Sequence, residues 1–339
     1  MIRPRTGVWI AAGAWLACAA AASGQTSTRA HEAAGVQESD ANRQRAAVSD
    51  STETAATASA PTAPATATTA SVPPVSSAGA SDPWPLWPRA VLDEPLVTDR
   101  PDFTESTDAV PFGHFQLEMG YTFTYDRERD ERSRSHTAPE FLLRAGLIED
   151  LELRIGWEGY AFTEELFSVE TRRGRQVARE DASQGAADLS LGFKRKFFEQ
   201  DGLRPHFGAI VAMNVPSGSA GVSSGDVEPE VVLAWAYDLS DALSIAGNVG
   251  LAAASDEGER FLQTFASLSG AVALSDDVGA YVEYFGFYPN AEHADAAHSA
   301  NGGLTYLIHD NLQLDLRAGF GLNEEADDFF AGIGFAWRW

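Results

Sequence analysis

His114-Phe-Gln-Leu-Glu-Met-Gly-Tyr-Thr-Phe-Thr-Tyr-Asp126 is two sequences interleaved. Phe115, Leu117, Met119, Tyr121, Phe123 and Tyr125 are apolar or aromatic, and the residues between them are polar or glycine. Successive strand side chains point to opposite faces, so a period of two over a dozen residues predicts a strand with one apolar and one polar face. The pattern returns to the end of the chain. Leu151, Leu153, Ile155 and Trp157 oppose Glu152, Arg154, Gly156 and Glu158, and Ile333, Phe335, Trp337 and Trp339 oppose Gly334, Ala336 and Arg338. About twelve such runs are predicted, near 114–126, 137–148, 151–162, 186–198, 205–215, 229–239, 242–254, 260–274, 278–288, 298–308, 312–322 and 329–339.

The connections carry a second pattern. Five are tight and acidic or amide-rich: Ile148–Asp150, Glu199–Gly202, Ser240-Asp241, Ser275–Asp277 and His309–Asn311. They alternate with longer polar ones, including 127–136, 163–185, 216–228 and 323–328. In an up-and-down meander this places all short turns at one end. Two architectures compete: a soluble sandwich or lipocalin-like barrel with the apolar face inward, and a transmembrane barrel with that face outward. The large aromatics decide between them. Trp235, Tyr237, Trp337 and Trp339 fall near the short-turn end, and Tyr125, Trp157 and Tyr284 near the other. Two such girdles fit the two lipid headgroup levels. The expected fold is therefore all-β, a 12-stranded antiparallel up-and-down transmembrane β-barrel over residues 113–339. An even strand number puts both barrel ends on the periplasmic side with the short turns.

The chain has 339 residues and a formal net charge of -25. Phosphates repel so acidic a surface, which argues against nucleic acid as a partner. Cys18 is the single cysteine, which excludes an internal disulfide framework and a cysteine zinc site. Arg3 and Arg5, the apolar run from Gly7 to Ala22 and the small residues after it have the layout of an export signal over 1–24. An anchor helix and a lipoprotein cut before Cys18 are the alternatives. Residues 25–81 are rich in Ala, Thr, Ser and Pro and too poor in apolar groups to fold, so they are expected to be a disordered linker. Residues 82–112 differ. Trp84, Trp87, Leu96, Phe103 and Phe112 are spread among prolines, as in an extended segment that docks on something.

Strand parity turns inward Glu118, Glu140, Arg144, Glu152, Arg154, Glu158, Asp188, Lys194, Lys196, Glu230, Asp238, Glu283, Asp315, Arg317 and Arg338. These nine acids and six bases are expected to pair in a confined interior and to leave a narrow channel. Residues 113–339 hold 17 bases against 37 acids, so the surplus acidity is assigned to the rims. That balance predicts at most a weak cation preference. The segment carrying Asp99, Arg100, Asp102, Phe103 and Glu105 is expected to enter the periplasmic mouth as a plug or latch.

Leu96-Val-Thr-Asp-Arg-Pro-Asp-Phe-Thr-Glu-Ser106 with Val110–Tyr121 resembles the opening of the outer-membrane transporter family named after the meta pathway of phenol degradation. Pro139–Leu147 with Leu151–Trp157 is similar to its next hairpin, and Val215–Gly218 and Tyr281–Tyr284 resemble further pieces. The resemblance covers about residues 95–339. It implies a passive or gated outer-membrane channel for small, often aromatic, solutes. It also implies outer-membrane lipid and the barrel-assembly machinery as partners, the latter reading the C-terminal aromatic strand. No cofactor is expected. Competing readings are a surface-recognition barrel, using Arg172, Arg173, Arg175 and Arg179, and a hydrolase built on Ser135-His136. For the hydrolase, nothing resembles a nucleophile elbow; a metal site on His293, Asp295 and His298 is a further alternative.

Overall fold

The computed structural model describes residues 89–339, apart from 93, 129–130, 171–175, 257 and 292–293. The expected signal and linker, Trp84, Trp87, Arg172, Arg173, Arg175, His293 and the side chain of Arg179 lie outside the described residues. The strands are β1 (Phe115–Glu128), β2 (Glu131–Ile148), β3 (Leu151–Trp157), β4 (Tyr160–Glu170), β5 (Gln176–Ala186), β6 (Leu189–Phe198) and β7 (His206–Val215). They continue with β8 (Glu228–Ser240), β9 (Leu243–Asp256), β10 (Glu259–Ala273), β11 (Val278–Asn290), β12 (Ala297–His309), β13 (Leu312–Gly321) and β14 (Phe329–Arg338).

Each strand pairs antiparallel with its neighbours, and β1 pairs with both β2 and β14, which closes the wall. The fourteen segments make twelve staves. β3 and β4 are one stave interrupted at Glu158 and Gly159, where Gly159 takes a φ of 102°. β5 and β6 are another, interrupted at Ala187 and Asp188. β2 therefore pairs with β3 below the break and with β4 above it.

Two expected loops are instead strand. β1 and β2 run on to Glu128 and Glu131, and most of 163–185 is the β4–β5 hairpin. Residues such as Glu131-Arg-Ser-Arg-Ser135 are polar on both faces, so they show no alternation. Their backbone groups still pair across the hairpin, because an unpaired strand edge is costly. In the short turn after β2, Asp150 takes a φ of 59°, a left-handed conformation that Asp tolerates better than most residues.

The distribution of side chains is inverted relative to a soluble protein. Val211, Val282 and Ile333 face outward and are 57%, 71% and 60% exposed, whereas Arg144 and Lys194 are 1% exposed. A continuous apolar outer band with charge inside is the signature of a barrel solvated by lipid. Trp157 pairs with Leu189, and Leu189 with Val215 where β7 ends, which sets that ring at one rim of the band. Trp337 and Trp339 stack at 4.7 Å at the opposite rim.

Candidate functional site: the barrel interior and the segment folded into it

The residues before β1 run inside the wall. The Leu96 amide donates to the Asp310 carbonyl in the short turn between β12 and β13, so the segment enters at the short-turn end. There Arg338 donates to the Glu94 carbonyl at 2.7 Å. The chain then climbs past Gly120 and Gly334, whose missing side chains leave room for the Arg100 guanidinium. Arg100 bonds Glu140 at 3.0 Å and Asp315 at 3.4 Å. Arg317 donates to the Pro101 carbonyl at 3.1 Å and to Thr122 at 2.9 Å.

Phe103 and Thr104 form the turning point. Their amides donate to the two oxygens of Glu283 at 2.8 and 2.7 Å, and Asn301 holds the same carboxylate at 2.7 Å. The Phe103 ring stacks on Phe285 at 4.7 Å and meets Phe265 and Phe287 edge-on. Phe330 packs beside Phe285. The descending limb is tied by Asn248, which accepts from the Glu105 amide at 2.6 Å and donates to its carbonyl at 3.1 Å. Lys196 meets Asp108 at 2.7 Å, and the Val110 amide donates to Glu152 at 2.7 Å.

Asp99 sits at the centre of the charge network. Lys194 donates to it at 2.7 Å, Arg154 at 2.5 Å, and Arg144 approaches at 3.2 Å. Arg144 also bonds Glu118 at 3.0 Å and Glu152 at 2.9 Å, and Arg154 bonds Glu105 at 2.8 Å. Every one of these side chains is buried. Removing charges from water costs several kcal/mol per ion, which close pairing and extra hydrogen bonds can offset. The network therefore fixes where the segment lies more surely than it adds net stability.

Parity turned inward all of the network residues on the wall. Glu158 and Asp188 occupy the two stave breaks. Asp188 accepts from the amides of Ser217 and Gly218 at 2.8 Å, which fastens the connection after β7. Asp238 keeps its register with Ser244 but stands exposed at the open short-turn end, where it lines the same cavity as Asp102 and meets His206 at 3.1 Å. The β8–β9 register slips only beyond it, between Asp238 and Ser240 next to the turn. Asp102 lines a cavity of about 390 Å³ at the short-turn end, together with Arg100, Tyr281, Thr305 and Gln313. Sequence reasoning missed Asn248, Asn301, Thr104, Ser267 and the inward Phe265, Phe285, Phe287 and Phe330. Among the described residues, no cluster of His, Cys, Asp and Glu has the arrangement of a metal site. Ser135 bonds Thr163 at 3.2 Å, while His136 bonds Tyr121 at 2.8 Å. The two residues of the hydrolase alternative are thus engaged with separate partners.

An apolar exterior, a closed twelve-stave wall and a charged interior filled from its own N-terminal side define a transmembrane β-barrel of the outer-membrane type. The chain belongs to the family named for the MetA pathway of phenol degradation, whose sequence pattern matches residues 98–339. Its fold is similar to that of the COG4313 outer membrane channel from Pseudomonas putida F1, at 14% identity and a TM-score of 0.48, over 69% of this chain and 98% of that one. It is also similar to the NanC porin, at 8% identity and a TM-score of 0.40, over 66% and 98%. No curated protein sequence matches the chain.

Proposed function

We propose that this protein is an outer-membrane channel for small, including aromatic or hydrophobic, solutes, and that residues 95–112 are its plug. One observation carries the reading. The inner segment bonds to residues on β1, β2, β3, β6, β9, β10, β11 and β13, and so occupies the cross-section where a solute would pass. A barrel that needed only filling could use apolar side chains from its own wall. A separate segment, held by groups that water or a solute can replace, is suited to a closable path. In this reading residues 1–24 are an export signal, 25–81 a linker, and Trp337 and Trp339 belong to the end that the barrel-assembly machinery reads. Outer-membrane lipid covers the apolar band, and the short turns face the periplasm.

Planar-bilayer conductance of refolded protein tests this. Deleting residues 95–106 should raise single-channel conductance several-fold while the barrel still shows heat-modifiable migration. Unchanged conductance in a folded variant would reject the plug. No solute flux through either form, with aromatic acids or with sugars, would favour the alternative of a structural barrel with a closed lumen, which the tight packing around Phe103 favours.

A further inference from the structure

The nearly even count of interior charges hides an uneven placement. Arg144, Arg154 and Lys194 lie near the short-turn ends of β2, β3 and β6, and all three are engaged by Asp99. Arg100 is held by Glu140 and Asp315, and Lys196 by Asp108 and Glu199. Arg317 and Arg338 donate to backbone carbonyls of the inner segment. The segment therefore engages the interior's positive charge.

Acids are left over on both sides of it. Toward the long loops, Glu230 on β8 is 4% exposed, and its Oε2 makes no hydrogen bond. Glu105, Glu158 and Glu228 all act on it electrostatically, with Arg154 as the opposing cation. Arg154 already serves Asp99, Glu105 and Glu152. Glu158 in turn faces Glu140, Glu228 and Asp188. Toward the short turns, the cavity beside the segment has Asp102 at its inner end and Asp238 and Asp241 at its mouth. The buried Tyr281 hydroxyl lines the same cavity and has no hydrogen-bond partner. Arg100 is the one cation in that lining.

We propose that the path through the barrel selects small organic cations, with Glu230 above the inner segment and Asp102 below it as the recognising carboxylates. An ammonium group adds counter-charge beside carboxyl groups whose charged neighbours are mostly other acids, and burial makes such a pairing far stronger than it is in water. The Tyr281 hydroxyl adds an acceptor for its N–H groups. This inference rests on the channel reading, and it replaces the weak rim-set preference expected from charge counting.

Two probes of the same shape and opposite charge test it: benzylammonium chloride and sodium benzoate. They are titrated calorimetrically into the refolded full-length protein in detergent at low ionic strength. Saturable binding of benzylammonium and none of benzoate is expected. Glu230→Gln and Asp102→Asn should each weaken benzylammonium at least tenfold, in variants whose heat-modifiable migration is unchanged. Equal binding of both probes, or no loss in the folded variants, would overturn the proposal. Liposome flux separates the two readings. Benzylammonium binding without flux would reject the channel and keep the cation site. Equal flux of both probes would keep the channel and reject the selectivity.

Discussion

Asp99 takes ion pairs from cations on three different strands, β2, β3 and β6. Its carboxylate is the point at which the inner segment and the wall share charge. Asp99→Asn should therefore destabilise the folded barrel by about 3 kcal/mol, the usual cost of breaking a buried pair from one side. Denaturant unfolding in lipid vesicles measures it. The neighbouring Glu105, Glu118 and Glu152 still pair with the three cations, so the variant should remain a barrel. Asp99 itself was visible in the sequence only as one charge in a mixed segment. Its wall partners were legible because each follows strict parity from an apolar neighbour. The inward phenylalanines were not. Tyr284, Phe285, Phe287 and Tyr288 put aromatic rings on both faces of β11, which erases the apolar-against-polar contrast on which parity depends. The preceding Glu283 was the available signal, since it fixes the parity of Phe285 and Phe287.

At the scale of elements, the fit of the inner segment against the wall depends on places where the wall has no side chain. Gly146 on β2 lies against the carbonyls of Val110 and Pro111, and a methyl group there would overlap the Pro111 oxygen. The obstacle is backbone that continues directly into β1, so it has little room to move. Gly146→Ala should displace the descending limb and raise conductance, with a loss of stability of about 1–3 kcal/mol from overpacking. Normal conductance with normal stability would show that the limb can shift at no cost. Strand number and order were legible at this scale, because lipid outside and charge inside impose alternation on every stave. The β4–β5 hairpin was not, since much of its sequence is polar without a clean alternation, although its backbone pairs along the whole length of both strands. Uncharged ties such as Asn248 and Asn301 escaped for a related reason: a single amide among small residues looks like ordinary polar lining.

For the whole molecule, the inner segment and the wall form one folded unit, and this can be tested covalently. The hydroxyls of Thr104 and Ser267 lie 2.7 Å apart, across the contact between the segment's turning point and β10. The only natural cysteine, Cys18, falls in the expected export signal. The double variant T104C/S267C should oxidise to a single disulfide and stabilise the barrel by about 2–4 kcal/mol relative to its reduced form. A difference in conductance between oxidised and reduced forms would show that the segment moves while solutes pass, and equal conductance that it stays in place. The closing seam joins Gln116 to Arg338, near opposite ends of the described chain. Such contacts form late, because the whole intervening chain must first be brought round. The inner segment leads directly into β1, one side of that seam. His114 and Phe115, where the segment passes into β1, both bond the Trp339 carbonyl, so the closure of the wall and the anchoring of its contents are fastened at one point.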